Sequence, residues 1–227
     1  MPTGVLLSGG LDSAVLLAEE AARDEVHPIY VSVGFPWEEA ERDALRGFLA
    51  EGFRHPRVRP LAALSVDMTD VYPAAHWART GVAPAYDTPD EDVYIPGRNI
   101  VLLGKAGVFC AIAGLDRLVI GTLDHNPFPD ATPAFRSTFA EALSLGLAHR
   151  LEIAAPYARV SKAEVIARGQ RAGVRLELTL SCMNARRTGP GFPRHCGVCS
   201  KCRERHDAFV EAGVPDLTDY MERAFTG

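Results

Sequence analysis

At 227 residues the chain has room for one sizeable α/β domain with a buried core and for little beyond it. Hydrophobic residues make up 47% and charged residues 23%, and the net charge of −5 argues against a broad nucleic-acid-coating surface. No basic leader precedes the first apolar run, and charge or glycine cuts every apolar stretch well short of a ~20-residue membrane span, so a soluble cytoplasmic protein is expected.

The apolar run at 4–7, the turn Ser8-Gly9-Gly10 and the Ala- and Leu-rich stretch from Leu11 to Ala22 predict a strand, a tight loop and a helix. A loop at a helix N-terminus faces unpaired N–H groups and the positive end of the helix dipole, which together favour a phosphate. Gly9 and Gly10 allow close backbone approach, Ser8 and Ser13 supply hydroxyls, and Asp12 could hold Mg²⁺. The loop lacks both the Gly-Lys-Ser/Thr ending of a Walker loop and the spaced glycines of a dinucleotide fingerprint.

Residues 28–33 predict a second strand, 38–51 a surface helix and 57–61 a short third strand. The polar, proline-containing stretch 68–92 reads as a long loop or lid. Residues 99–115 predict a mainly buried helix and 117–122 a central strand. Three prolines rule out regular structure over 126–133, a loop expected at a strand's carboxyl end, where open α/β sheets bind ligands. A helix to about residue 146 and a strand at 151–155 follow, and Ser161-Lys162-Ala163-Glu164 forms a capping box for a helix to residue 172. This alternation predicts a doubly wound, mostly parallel sheet with helices on both faces.

Cys182, Cys196, Cys199 and Cys202 have the spacing of a closed structural Zn²⁺ site. Disulfides and an iron–sulfur cluster are the competing uses of such cysteines. Cys110 falls in an apolar helix as a core residue, and His195 beside the cluster is expected to be a solvated loop residue. Arg186, Arg187, Arg194, Lys201, Arg203 and Arg205 make this region basic. The expected organisation is a phosphate-binding α/β domain over 1–180, with a zinc-binding segment over 181–227 packed on it.

Ser8-Gly9-Gly10-Leu11-Asp12-Ser13 resembles the SGGxDS signature of the PP-loop, or N-type ATP pyrophosphatase, superfamily. With Tyr94-Ile95-Pro96-Gly97-Arg98-Asn99, Phe128-Pro129-Asp130, Ser181-Cys182 and the later cysteines, the chain from Gly4 to about Phe209 resembles the 7-cyano-7-deazaguanine synthase family. The resemblance implies an adenine nucleotide alpha hydrolase-like fold, one structural zinc and a homodimer. It implies ATP cleavage between the α and β phosphates, with a deazapurine carboxylate and ammonia as small-molecule substrates and no nucleic-acid or membrane partner. Ser8, Gly9, Gly10, Leu11, Asp12 and Ser13 would then cradle phosphates with Asp12 near Mg²⁺, and Tyr30, Val31, Ser32 and Val33 would border the adenine.

Gly97, Arg98, Asn99, Phe128 and Asp130 would form the substrate wall, with Arg98 suited to a phosphate or carboxylate. Asp130 either accepts hydrogen bonds from a guanine-like edge or caps the helix after Pro133. Lys162 either contacts phosphate or is a solvated first-turn lysine. The family usually carries Tyr-Gly-Gln-Arg-His or a close variant after the second strand, whereas here Val33-Gly34-Phe35-Pro36-Trp37-Glu38 stands. Its aromatic faces can stack on a flat base, and Glu38 or Glu41 could recognise N–H donors.

The expected activity is ATP-dependent conversion of 7-carboxy-7-deazaguanine to the nitrile. The competing functions are a ligase that stops at the amide or takes another acid, a PP-loop tRNA-modifying sulfur transferase, and a zinc-ribbon nucleic-acid-binding module. The second needs reactive cysteines beyond the metal set, and only Cys110 remains for that.

Overall fold

Five parallel strands carry the molecule, in a computed structural model that describes residues 1–82, 87–124, 126–186 and 191–225. In chain order the elements are β1 (Thr3–Leu6), α1 (Leu11–Arg23), β2 (Val26–Ser32), α2 (Glu38–Gly47), β3 (Ala62–Ser65) and α3 (Trp77–Thr80). Then come α4 (Arg98–Ala113), β4 (Arg117–Val119), α5 (Pro133–Leu147), β5 (Glu152–Ala154), α6 (Lys162–Arg171) and α7 (Ser200–Ala212).

The sheet order is β3-β2-β1-β4-β5. The chain winds one way from β1 to β3 and the other way through β4 and β5, so the switch point lies at the carboxyl ends of β1 and β4. The doubly wound α/β expectation holds.

Side chains alternate across the sheet as the pleat requires. Val5 and Leu7 pack with Leu11, Val15, Ile166 and Phe209 on the α1, α6 and α7 side. Leu6, Ile29, Val31 and Leu118 pack with Leu103, Ala106, Cys110 and Ala140 on the α4 and α5 side. Cys110 is fully buried there, and a Cβ on Gly4 would lie 2.8 Å from its Sγ, which is why β1 passes α4 as glycine.

The third strand lies at Ala62–Ser65 rather than at 57–61. Val58 makes only an isolated bridge to Val26, and Pro56 and Pro60, which lack N–H donors, interrupt pairing until the chain has passed them. The expected lid at 68–92 contains α3, capped by His76 Nδ1 accepting from Ala78 N (3.1 Å), and a 3-10 turn at Asp90–Val93. Residues 83–86 of that stretch lie outside the described residues.

The central strand stops at Val119, and a Cβ on Gly121 just beyond would lie 3.3–3.5 Å from the Asp12 and Ser13 backbone. Ser161 Oγ caps α6 by accepting from Glu164 N (3.2 Å), while the Glu164 carboxylate turns to Arg168 and Arg171 and leaves the box half made. No helix among the described residues is long and apolar enough to cross a membrane.

Candidate active site

A cleft of about 440 Å³ opens at the switch point, within the size range of small-molecule sites. Its floor is the turn between β1 and α1. Gly9 sits at φ +80°, where L side chains are strained, and a Cβ there would press on Leu45 Cγ (3.2 Å) and the Glu41 carbonyl (3.4 Å). The turn is ordered by its own hydroxyls: Gly10 N donates to Ser8 Oγ (3.2 Å), Ser8 N to Ser13 Oγ (3.3 Å), and Ser13 Oγ to Gly10 O (3.0 Å). Leu180 N donates to Gly9 O (2.8 Å), clamping the turn from the C-terminal segment.

Asp12 stands in the first turn of α1 with Oδ2 3.4 Å from Lys162 Nζ. Its Oδ1 is buried without a partner among the described residues, and burial raises its pKa despite the pull of Lys162. Such an orphaned carboxylate oxygen beside a glycine turn at a helix N-terminus fits a divalent cation. Lys162 is therefore no solvated lysine. Its ammonium also binds Glu204 (2.6 Å), which in turn binds Lys201 (2.7 Å). Burial alone would push Glu204 up, but the two lysines outweigh it and hold the carboxyl down at about 2. Burial would likewise lower Lys162, and Asp12 and Glu204 raise it instead.

Gly97, at φ +77°, delivers Arg98 to the first position of α4. Arg98 faces the cleft with its Nε buried and unpartnered among the described residues and its terminal nitrogen 4.0 Å from Glu41 Oε1. Asp130 caps α4 rather than α5: Asn99 N donates to its Oδ2 (3.0 Å) and Asn99 Nδ2 to its Oδ1 (3.3 Å). Thr132 caps α5, its Oγ1 accepting from Phe135 N (3.2 Å). Both Asn99 and Asp130 still line the cleft, and burial raises the Asp130 pKa against the pull of Asn99.

Phe128 stacks on Tyr94 at 4.9 Å, and Trp37 on Trp77 at 5.1 Å, so two aromatic pairs line the same space. Tyr30 and Val31 line it too. Ser32 and Val33 do not: the Val33 side chain is fully buried in the core on the α4 side, and Glu38 accepts from Ser32 Oγ and from Val33 N (2.7 Å). That buried Glu38 is structural, and Glu41 is the acid of α2 that reaches the cleft.

Behind the cleft, the Sγ atoms of Cys182, Cys196, Cys199 and Cys202 lie within 4.8 Å of one another, with close pairs at 3.5, 3.9 and 4.0 Å. Thiolates at 2.3 Å tetrahedrally around one ion would stand about 3.8 Å apart, so the four sulfurs fit a single metal. Backbone N–H groups of Asn184 and Cys196 point at Cys182 Sγ (3.2 Å each), as anionic ligands require. None of the five cysteines is in a disulfide.

His195 is buried, not solvated: its Nε2 accepts from Ser181 N (3.1 Å), and burial and Arg205 push its pKa well below the usual value. Arg205 is buried as well, donating to Thr218, Thr179, Ser181 and Leu176 O at 2.7–3.1 Å. It contributes nothing to a basic surface. Arg194 pairs with Asp219 and Arg203 with Asp87, while Arg187 lies outside the described residues.

Sequence reasoning missed Trp77, which follows no motif, and Glu204 and Lys201 as cleft residues. Only the position of these last two beside Cys202 hinted at their proximity to the site.

The family model for queuosine biosynthesis protein QueC matches residues 3–213. A 7-cyano-7-deazaguanine synthase of Anaeromyxobacter dehalogenans is 35% identical over 229 residues, covering 96% of this chain and 95% of its own length. One from Nitrosococcus oceani is 34% identical over 231 residues, covering 95% and 96%. Among solved structures, the U34-tRNA thiolase NcsA from Methanococcus maripaludis, with its 4Fe–4S cluster, superposes with a TM-score of 0.46 at 15% identity. It covers 96% of this chain and 74% of its own, a likeness too slight to bear on the chemistry here. With the match to the family model running nearly end to end and relatives this similar over their full length, the chain belongs to the QueC family.

Proposed function

We propose that the chain is an ATP-dependent carbon–nitrogen ligase that converts 7-carboxy-7-deazaguanine and ammonia to 7-cyano-7-deazaguanine through an acyl-adenylate and an amide. The observation that carries this reading is one cleft that exposes both the glycine turn at the α1 N-terminus and the half-partnered guanidinium of Arg98, in a QueC-family chain.

In this reading Ser8, Gly9, Gly10, Leu11, Asp12 and Ser13 receive the phosphates of ATP on backbone N–H groups and hydroxyls. Asp12 would hold Mg²⁺, which when bound offsets the charge of the departing pyrophosphate. Lys162 trades part of its contact with Glu204 for phosphate, and Arg98 draws the substrate carboxylate toward the α-phosphorus. The Trp37–Trp77 and Tyr94–Phe128 pairs offer faces for the two flat bases. Carboxylate oxygen attacks phosphorus, pyrophosphate leaves, and ammonia displaces AMP to give the amide. A second activation at the amide oxygen and loss of AMP leave the nitrile. No side-chain nucleophile is needed, so catalysis rests on positioning and charge stabilisation.

The four thiolates hold Zn²⁺ as a closed structural site. A homodimer completes the reading, supported by Ile112 and Leu145, 84% and 78% exposed on the packed helices α4 and α5.

Incubation with ATP, ammonium and the deazapurine acid should release AMP and pyrophosphate, and Asp12→Ala should abolish that release with the circular-dichroism spectrum intact. ADP and phosphate as primary products reject the reading. Mass spectrometry follows the organic product: amide that persists with ATP in excess assigns an amide synthase instead.

A further inference from the structure

At neutral pH dissolved ammonia is almost wholly ammonium, which has no lone pair to offer a carbonyl carbon. A ligase that takes up ammonium therefore needs a proton acceptor in the cleft before the carbon–nitrogen bond forms; without one it draws only on the small fraction that is already free ammonia. Asp12 and Glu204 are tied to Lys162, and Asp130 is tied to Asn99 at the cap of α4. Glu41 is placed differently. It lies on α2, which leans on the glycine turn closely enough that a Gly9 Cβ would sit 3.4 Å from the Glu41 carbonyl.

The Glu41 carboxylate lines the cleft at 16% exposure, accepts from Tyr30 Oη at Oε2 (3.0 Å), and keeps Oε1 4.0 Å from Arg98. That puts an acceptor oxygen next to the guanidinium expected to hold the reacting carboxylate. The charged and titratable groups facing it are Tyr30 from β2, Arg98 from α4, and Glu38 and Arg42 from its own helix. Burial, with help from Glu38, raises its pKa to about 7 against the opposing pull of Arg98, Tyr30 and Arg42. A carboxyl that titrates there is matched to proton transfer at neutral pH.

We propose that Glu41 is the proton acceptor that turns bound ammonium into the attacking ammonia, an assignment that rests on the ligase reading above. Glu41 takes one proton from ammonium, and the freed nitrogen lone pair forms the bond to the acyl carbon. The bond from that carbon to the AMP oxygen breaks with its electrons on the phosphate. The second proton shed by nitrogen goes to that phosphate, so AMP leaves as the monoanion. Glu41 then returns its own proton to solvent.

The test separates adenylation from amination. ATP–pyrophosphate exchange driven by 7-carboxy-7-deazaguanine reports the first step. Turnover with ammonium, and separately with hydroxylamine (already neutral at pH 7), reports the second. Glu41→Gln keeps an acceptor for the Tyr30 hydroxyl. It should retain exchange and hydroxylamine turnover close to wild type while ammonium turnover at pH 7 falls by roughly 10²-fold or more. That loss should shrink as pH rises and free ammonia accumulates. Glu41→Asp should recover part of it. Tyr30→Phe, which removes a hydrogen bond favouring the ionised carboxylate, should shift the acid limb of the ammonium profile to higher pH.

Equal loss with both amines, or wild-type ammonium dependence in Glu41→Gln, overturns the assignment alone. Wild-type protein that shows no exchange with the acid overturns the ligase reading and this assignment with it.

Discussion

Two carboxylates that face the same cleft are driven in opposite directions by their neighbours: Glu204 is held down by two lysines, and Glu41 is pushed up by burial. The second case has a stability consequence with a definite sign. A carboxyl raised from 4.5 to about 7 in the folded state costs stability once pH exceeds 4.5, and the full cost is present above 7. The shift corresponds to at most about 3 kcal/mol. Glu41→Gln should therefore melt above wild type at pH 8, and the gap should close as pH falls toward 4.5; thermal melts across that range decide it. Arg205 carries the reverse lesson. Its guanidinium satisfies two threonine hydroxyls, a serine hydroxyl and a carbonyl in the interior, and Arg205→Met strands them. The expected cost is about 3 kcal/mol or more in chemical denaturation, because unpaired buried polar groups are expensive.

The elements matter here mainly through their ends. The N-termini of α1, α4, α6 and α7 bring Asp12, Arg98, Lys162, and both Lys201 and Glu204 to one cleft, which no single helix could do. The start of α7 is also part of the thiolate cluster, with Cys199 at its N-cap position and Cys202 in its first turn. Losing the metal should thus loosen α7 and, through Leu180, the glycine turn. Cys199→Ser, or chelation, should lower the melting temperature and solubility first and catalysis only as a consequence. A variant that keeps its melting temperature but loses turnover would make the metal catalytic.

At the scale of the whole molecule, winding reverses beside β1, so the strand that carries the glycine turn lies next to the one that leads into residues 120–124. The site follows from that adjacency. The same scale bears on the surface charge open to partners. With Arg205 interior and Arg194 and Arg203 paired with acids, the cysteine region presents less free positive charge than its composition suggests. A gel shift with tRNA at physiological salt should show no retardation, and light scattering should return the mass of a dimer. Salt-sensitive tRNA binding would favour a nucleic-acid role instead.

The sequence by itself determined the features that depend on near neighbours in the chain. The strand–turn–helix opening, the Ser161 cap and the four clustered cysteines were all legible from spacing and backbone preference. The stretch 126–133, expected to be irregular, instead holds a 3-10 turn at Pro129–Ala131 and the first residue of α5 at Pro133, because the fixed φ of proline suits the first turn of a helix. Tertiary structure decided where one segment meets a distant one. Asp130 caps a helix that begins thirty-two residues earlier, Lys162 shares Glu204 with Lys201, and His195 and Arg205 are interior residues within a polar stretch. Even the start of β3 was settled by register against β2 once Pro60 had passed. A local pattern fixes a residue's backbone and its face. Its partner, and so its charge state and chemistry, is set by what folding packs against it.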